Sequence, residues 1–237
     1  MSRHLHLWPA LVCLVAASAP MQFVCREAAG PIVVDGKADD AAWDAVEPIT
    51  EYFLTGSLAP PTETTSLKTC YDDKSVYFLY ECSDKDVFAL HDERDTALWE
   101  SDVVEVFFWP DEERPIYYEF EIAPNNVVFD ARYVNTGSGH WRRWCQWDSG
   151  IRSAATVHGT LNDWRDRDEG FTVEFAIPIA AFADVNGDKP LKGQTWRFAG
   201  VRFNYSTDLK SPEGAVTSQD PRSDLHQYRG FAQLMFE

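Results

Sequence analysis

Indole rings and carboxylates are the side chains in this sequence best placed to do chemistry. Trp99 ends a long polar stretch and directly precedes Glu100-Ser101-Asp102-Val103-Val104-Glu105. Trp141, Trp144 and Trp147 recur at every third position, with Arg142 and Arg143 between the first two. His226 and Tyr228 close the last polar stretch before the apolar C-terminal run. A flat indole gives van der Waals contact and a negative π face, and a neighbouring guanidinium extends that surface. Carboxylates and amides read hydroxyl groups, and they discriminate because an unmatched buried polar group is costly. Together these residue types suit a flat, hydroxyl-rimmed ring. The competing reading is structural: Trp99 caps the core, and the Trp141–Trp147 loop folds back over its own rings.

Glu105 belongs to an alternating run, Asp102 to Trp109. Alternation places Val104, Val106 and Phe108 on one face and Val103, Glu105 and Phe107 on the other. A carboxylate in such an apolar stretch needs a partner if it is buried, either a ligand or a structural ion pair. Asp184-Val185-Asn186-Gly187-Asp188 has oxygen ligands at alternate positions around a glycine, the start of a calcium-loop pattern without its terminal glutamate. Asp184, Asn186 and Asp188 are therefore candidate ligands for a structural Ca2+, with a plain turn as the alternative. Ser83-Asp84-Lys85-Asp86 is a second acidic candidate. No G-x-S-x-G, H-E-x-x-H or P-loop pattern occurs, and nothing marks the carboxylate pair of a glycosidase. A haem would need opposed axial ligands. Met235 lies in the closing apolar run and the histidines are scattered, so the sequence does not place such a pair.

These residues must be positioned by strands. About ten short alternating or aromatic runs are separated by turn residues: Gln22–Cys25, Pro31–Val34, Ser66–Tyr71, Val76–Cys82, Asp102–Trp109, Ile116–Ala123, Val127–Val134, Arg152–His158, Phe171–Ile177, Trp196–Tyr205 and Phe231–Phe236. One helical turn is expected around Trp43, which reads as core together with Trp109 and Trp196. The pattern predicts an all-β fold, a two-sheet antiparallel β-sandwich of jelly-roll or immunoglobulin-like type with long loops, as one domain over residues 20–237. Aromatics at 14% supply a large core, which argues against disorder. A net charge of −17 repels nucleic acid and anionic membrane surfaces.

Residues 1–19 read as a secretory signal: Arg3, an apolar run from Leu7 to Ala19, and the small-residue pattern Ala17-Ser18-Ala19. That run is too short to span a bilayer, no later segment does so, and a secreted, periplasmic or cell-surface location follows. Cys25, Cys70, Cys82 and Cys145 remain beyond the signal, either as one or two disulfides or as buried thiols.

Seven segments, in order, then carry a resemblance. They are Ile32-Val33-Val34-Asp35-Gly36-Lys37 with Asp39-Asp40-Ala41-Ala42-Trp43; Tyr71-Asp72-Asp73-Lys74-Ser75-Val76-Tyr77-Phe78; Trp99 through Phe107; Phe120-Glu121-Ile122-Ala123-Pro124-Asn125-Asn126 with Glu174-Phe175-Ala176-Ile177-Pro178; and Gly230 through Phe236. This set resembles the family 9 carbohydrate-binding modules, which are related to the haem-binding DOMON-type sandwiches. The resemblance implies a non-catalytic β-sandwich that binds oligo- or polysaccharide, supporting extracellular glycan degradation beside glycoside hydrolases; some members hold structural calcium. A haem-binding electron-transfer domain or an accessory interaction domain of a hydrolase system is the alternative. It implies that Trp99 is one wall of a sugar clamp and that Glu105 contacts sugar hydroxyls. The loop expected to bring a second tryptophan has none, leaving His226 or Tyr228 as the other wall, and Glu121 stands where a sugar-contacting arginine is expected.

Overall fold

The computed structural model describes residues 21–136, 140–218 and 224–237. The expected signal, residues 1–19, lies outside the described residues. The alternation around Glu105 becomes strand β5 (Val103–Trp109), buried on both faces. Val104, Val106 and Phe108 enter the main core, while Val103 and Phe107 enter a second cluster on the opposite face.

β5 pairs antiparallel with β6 (Tyr117–Ile122), which pairs with β7 (Val128–Tyr133). On its other side lies β10 (Thr195–Asn204), whose two halves pair with β12 (Ala232–Phe236) and β11 (Glu213–Val216). Short β2 (Phe53–Leu54) extends β11. The second sheet runs β3 (Thr65–Tyr71), β4 (Ser75–Ser83), β9 (Gly170–Pro178) and β8 (Arg152–His158), all antiparallel. The main core fills the space between the sheets. Phe78 stacks on Phe175 at 4.9 Å and meets Phe108 and Phe198 across the gap at 5.8 and 6.2 Å. Trp43, Trp109 and Trp196 are buried, as the sequence predicts.

The expected sandwich is present, and one strand departs from the antiparallel expectation. In β1 (Gln22–Glu27), Gln22 to Cys25 pair parallel with β12, and Arg26 and Glu27 then pair parallel with β3. β1 thus crosses between sheets and joins them into one mixed path. β2 and β11 lie in segments that read as loops.

Pro31–Val34 is not a strand. Its polar groups go to side chains: Val33 N–H donates to Asp40 at 2.7 Å. Ile32 and Val34 pack with Trp43 over Cys70, Tyr77 and Leu79, covering the outer face of the second sheet. Glu174, buried in β9, accepts from Trp43 Nε1 at 2.9 Å and from the N–H groups of Asp35 and Gly36 at 2.9 and 3.2 Å. Gly36 has φ +80°, and a Cβ there would sit 3.1 Å from the Ala155 backbone. Asp35-Gly36 and Trp43 therefore form one docking device on a single carboxylate. The four described cysteines are buried free thiols, not disulfides. Burial first of all pushes Cys70 and Cys82 up to about 12. No helix among the described residues is long and apolar enough to cross a membrane.

Glu174→Ala strips the acceptor from three donors at this dock. The expected cost is about 3 kcal/mol, a Tm lower by roughly 6–12 °C for a domain of this size. Thermal unfolding followed by circular dichroism measures it; a Tm unchanged from wild type would show that the dock holds without Glu174.

Candidate functional site

The second apolar cluster covers the outer face of the first sheet, and a cavity of about 210 Å³ opens within it. Strand alternation supplies the floor. Glu105 and Phe107 on β5, Glu119 on β6 and Tyr133 on β7 point to this face, each no more than 4% exposed. Trp99, Trp141 and Phe203 form half-buried walls. Asp224, Leu225 and His226 close the rim.

Trp99 lies in a single 3-10 turn, Leu98–Glu100, anchored by fully buried Leu98. Its ring meets Phe129 edge-on at 5.8 Å and Trp141 at 5.2 Å with an interplanar angle of 89°. The two indoles make a corner rather than a parallel clamp. Asp102 fixes this turn to its surroundings: its carboxylate accepts from Phe88 N–H and Tyr205 N–H, both at 2.6 Å. Tyr205 also donates its hydroxyl to the Trp99 carbonyl at 2.8 Å. The aspartate that follows Trp99 is therefore a positioning residue, buried with no exposed surface.

The three tryptophans at every third position separate. Trp141 faces the cavity, with the Arg142 guanidinium 4.3 Å from its ring centre. Trp144 packs beside Tyr133 with its Nε1 buried and unpartnered, under Arg143. Trp147 enters the main core against Tyr118 and Phe120. The loop thus turns Trp144 and Trp147 inward and leaves Trp141 at the cavity. His226 forms a wall: it lies edge-on to Phe107 and Tyr133, and its Nδ1 is 3.0 Å from the Tyr117 hydroxyl. Tyr228 does not line the cavity; it is 3% exposed and packs 4.2 Å from Trp109.

Three glutamates converge beneath the floor. Glu105 pairs with Glu121 across β5 and β6, and Glu119 follows two residues before on the same face. Glu119 accepts from the Tyr133 hydroxyl at 2.6 Å. Glu121, with no exposed surface, has no partner for either oxygen and lies behind the cavity rather than on it. Burial pushes all three carboxyls upward, and the charge of one opposes ionisation of the next: Glu119 on Glu105, and both on Glu121. The group titrates as a unit, holding protons above the ordinary carboxylate range. As neutral acids these groups can donate as well as accept hydrogen bonds.

The expected calcium ligands have other partners. Asp184 and Asn186 sit in helix α1 (Ala183–Asn186). Asp184 accepts from Tyr118 and pairs with Arg132, while the Asn186 amide donates to the Lys189 carbonyl at 2.8 Å and Asp188 is exposed. Two of the three are thus committed within the protein, which does not fit a calcium loop. In the second acidic stretch, Asp84 pairs with buried Arg202 at 2.8 Å and Asp86 accepts from Thr207. Among the described residues no group of three or more His, Cys, Asp or Glu is placed to hold a metal.

Sequence reasoning missed Glu119, Tyr133, Phe203, Asp224 and Leu225 as lining. Glu119 was findable from its spacing to Glu121 on one strand face. Tyr133 and Phe203 come from strands whose adjacency to β5 no local pattern reveals.

A family model described as carbohydrate family 9 binding domain-like matches residues 34–228. The chain belongs to that family. It is 30% identical over 208 residues to endo-1,4-beta-xylanase A of Thermoanaerobacterium saccharolyticum, covering 87% of this chain and 15% of the xylanase. It is 26% identical over 226 residues to an extracellular protein of Arthroderma benhamiae, covering 90% of this chain and 93% of that one. The chain thus spans a small fraction of the xylanase it matches. A family 9 carbohydrate-binding module of Caldicellulosiruptor kristjanssonii, solved in complex with glucose, superposes with a TM-score of 0.63 at 17% identity, over 91% of this chain and 95% of that one. Within the family, the region matched is a binding module, and the chain is read as non-catalytic.

Because the folded state holds protons that the unfolded chain releases, stability from the glutamate group is full below the unfolded carboxylate range and is lost as pH rises toward the folded values. The slope is at most about 1.4 kcal/mol per pH unit for each proton. Glu121→Gln keeps the shape without ionising, so it should flatten the fall in Tm expected of the wild type between pH 5 and pH 8. Scanning calorimetry at several pH values checks this, and an unaltered slope would assign the proton elsewhere.

Proposed function

We propose that this chain binds carbohydrate without catalysing its cleavage, at the cavity cornered by Trp99 and Trp141, and that it serves extracellular glycan degradation. The carrying observation is the partly buried Trp99 indole lining a cavity with buried carboxyls on its floor. A pyranose has a weakly apolar C–H face and a rim of hydroxyls; the indole corner matches the first, and Glu105, Glu119 and Asp224 match the second. Relatedness to a module within a xylanase supports the degradation context. The apolar run Leu7–Ala19 and the extracellular relative support a secreted, periplasmic or cell-surface location. Family membership and the cavity support oligo- or polysaccharide as the partner.

Glu105 and Glu119 lie on neighbouring strands of one floor, and family membership supports recognition rather than hydrolysis.

Trp99→Ala is expected to weaken sugar binding more than tenfold with the fold retained, since the indole lines the cavity rather than the inter-sheet core. Calorimetric titration against glucans, xylans, mannans and sulfated algal polysaccharides measures the first, and thermal unfolding the second. Undiminished affinity in the variant would sink this site; a collapse in Tm with affinity retained would make Trp99 a core residue.

A further inference from the structure

Trp164 is 69% exposed, more than any other large apolar side chain among the described residues. A single exposed ring is unremarkable by itself, but Trp164 lines a groove of about 450 Å³ with Phe88, Tyr205 and Leu209, edged by polar Asn162 and Thr207. The groove is built rather than loose. Asn162 clamps the backbone of Ala89 in both directions, accepting at 2.9 Å and donating at 3.1 Å. Thr207 is held by buried Asp86 through its N–H and its hydroxyl, both at 2.9 Å. Walls fixed before a ligand arrives lower the cost of ordering on binding.

This groove adjoins the turn that carries Trp99. Tyr205 lines the groove and donates its hydroxyl to the Trp99 carbonyl. Asp102 holds Phe88 and Tyr205 by their N–H groups, so one buried carboxylate fixes a wall of the groove and the turn that carries Trp99. The cavity, at about 210 Å³, lies below the roughly 300–1,000 Å³ usual for small-molecule sites. It holds little more than one ring, so the rest of a chain must run outside it.

We propose that the Trp164 groove is a second subsite for the same saccharide chain: one unit occupies the Trp99 cavity, the chain passes Tyr205, and a further pyranose stacks its C–H face on Trp164. This rests on the carbohydrate reading of the Trp99 cavity. The chemical class is a linear oligosaccharide of several units rather than a free monosaccharide.

The test titrates wild type, Trp164→Ala, Trp164→Phe and Trp99→Ala with cellobiose, cellohexaose, xylobiose and xylohexaose by calorimetry, with thermal unfolding of each variant. Trp164→Ala should lose about five- to tenfold in affinity for whichever hexasaccharide binds, keep its disaccharide affinity within about twofold, and keep the wild-type Tm; Trp164→Phe should recover part of the loss. Trp99→Ala should lose affinity for both lengths. Full hexasaccharide affinity in Trp164→Ala, with Trp99→Ala impaired, overturns the second subsite and leaves the Trp99 site standing. Equal losses for both lengths in Trp164→Ala also overturn it, since the groove would then not be a separate subsite. Wild-type binding untouched by Trp99→Ala, or no binding of any of these sugars, overturns the underlying reading and this one with it.

Discussion

Phe108 sits among Phe78, Phe182, Trp196 and Phe198, at centroid distances of 5.5–5.8 Å, and this packing sets the register of the strand that carries the site. Successive side chains on a strand point to opposite faces, so a slip by one residue would exchange the two sets. Val104, Val106 and Phe108 can reach the inter-sheet core only if Val103, Glu105 and Phe107 face the other way. The acidic floor is thus a consequence of core packing. Neighbouring strands propagate it: Glu119 and Glu121 follow from pairing with Phe107 and Glu105, and Phe203 from pairing with Val103.

The same constraint explains why the site is electrostatically unusual. A sheet face turned away from the main core is normally wet. Here the loops carrying Trp99, Trp141 and His226 roof it over, and the carboxyls beneath lose their water. An ionised carboxylate in that setting is strongly disfavoured unless paired. Glu121 has no partner, so its neutral form is the one compatible with the fold. Burial pushes Asp102 and Glu174 up as well, and the two and three hydrogen bonds they accept offset part of that cost. Those two acids serve architecture, whereas Glu105 and Glu119 line the cavity.

How far the sequence revealed this follows from the range of each signal. Alternation is local, so the two faces of β5 and the hairpin of β3 and β4 were legible. The helical turn at Trp43 was legible as well. Strand adjacency is not local, so the parallel crossing of β1 and the contribution of Tyr133 had no signal. Pro31–Val34 has strand-like residues, but the Val33 N–H found Asp40, and the N–H groups of Asp35 and Gly36 just after it found Glu174, instead of a neighbouring strand. Tyr228 and Asp184 failed for another reason. A tyrosine in a loop can turn inward onto Trp109, and an aspartate in a calcium-like spacing can meet Arg132, and neither partner is near in sequence.

The absence of a tryptophan in the loop beside His226 changes what the cavity can hold. Two parallel indoles would grip a ring on both faces. Trp99 and Trp141 instead meet at 89°, so one ring can stack on a ligand face while the other presents its side or edge. Less aromatic contact must then be offset by polar contact or by contact elsewhere on the ligand. Glu105, Glu119 and Asp224 offer the first, since carboxyl groups hydrogen-bond to hydroxyls. A corner also leaves one direction open, whereas a clamp closes two. With the Trp164 groove adjoining the turn that carries Trp99, such a surface suits part of a longer chain better than an isolated sugar.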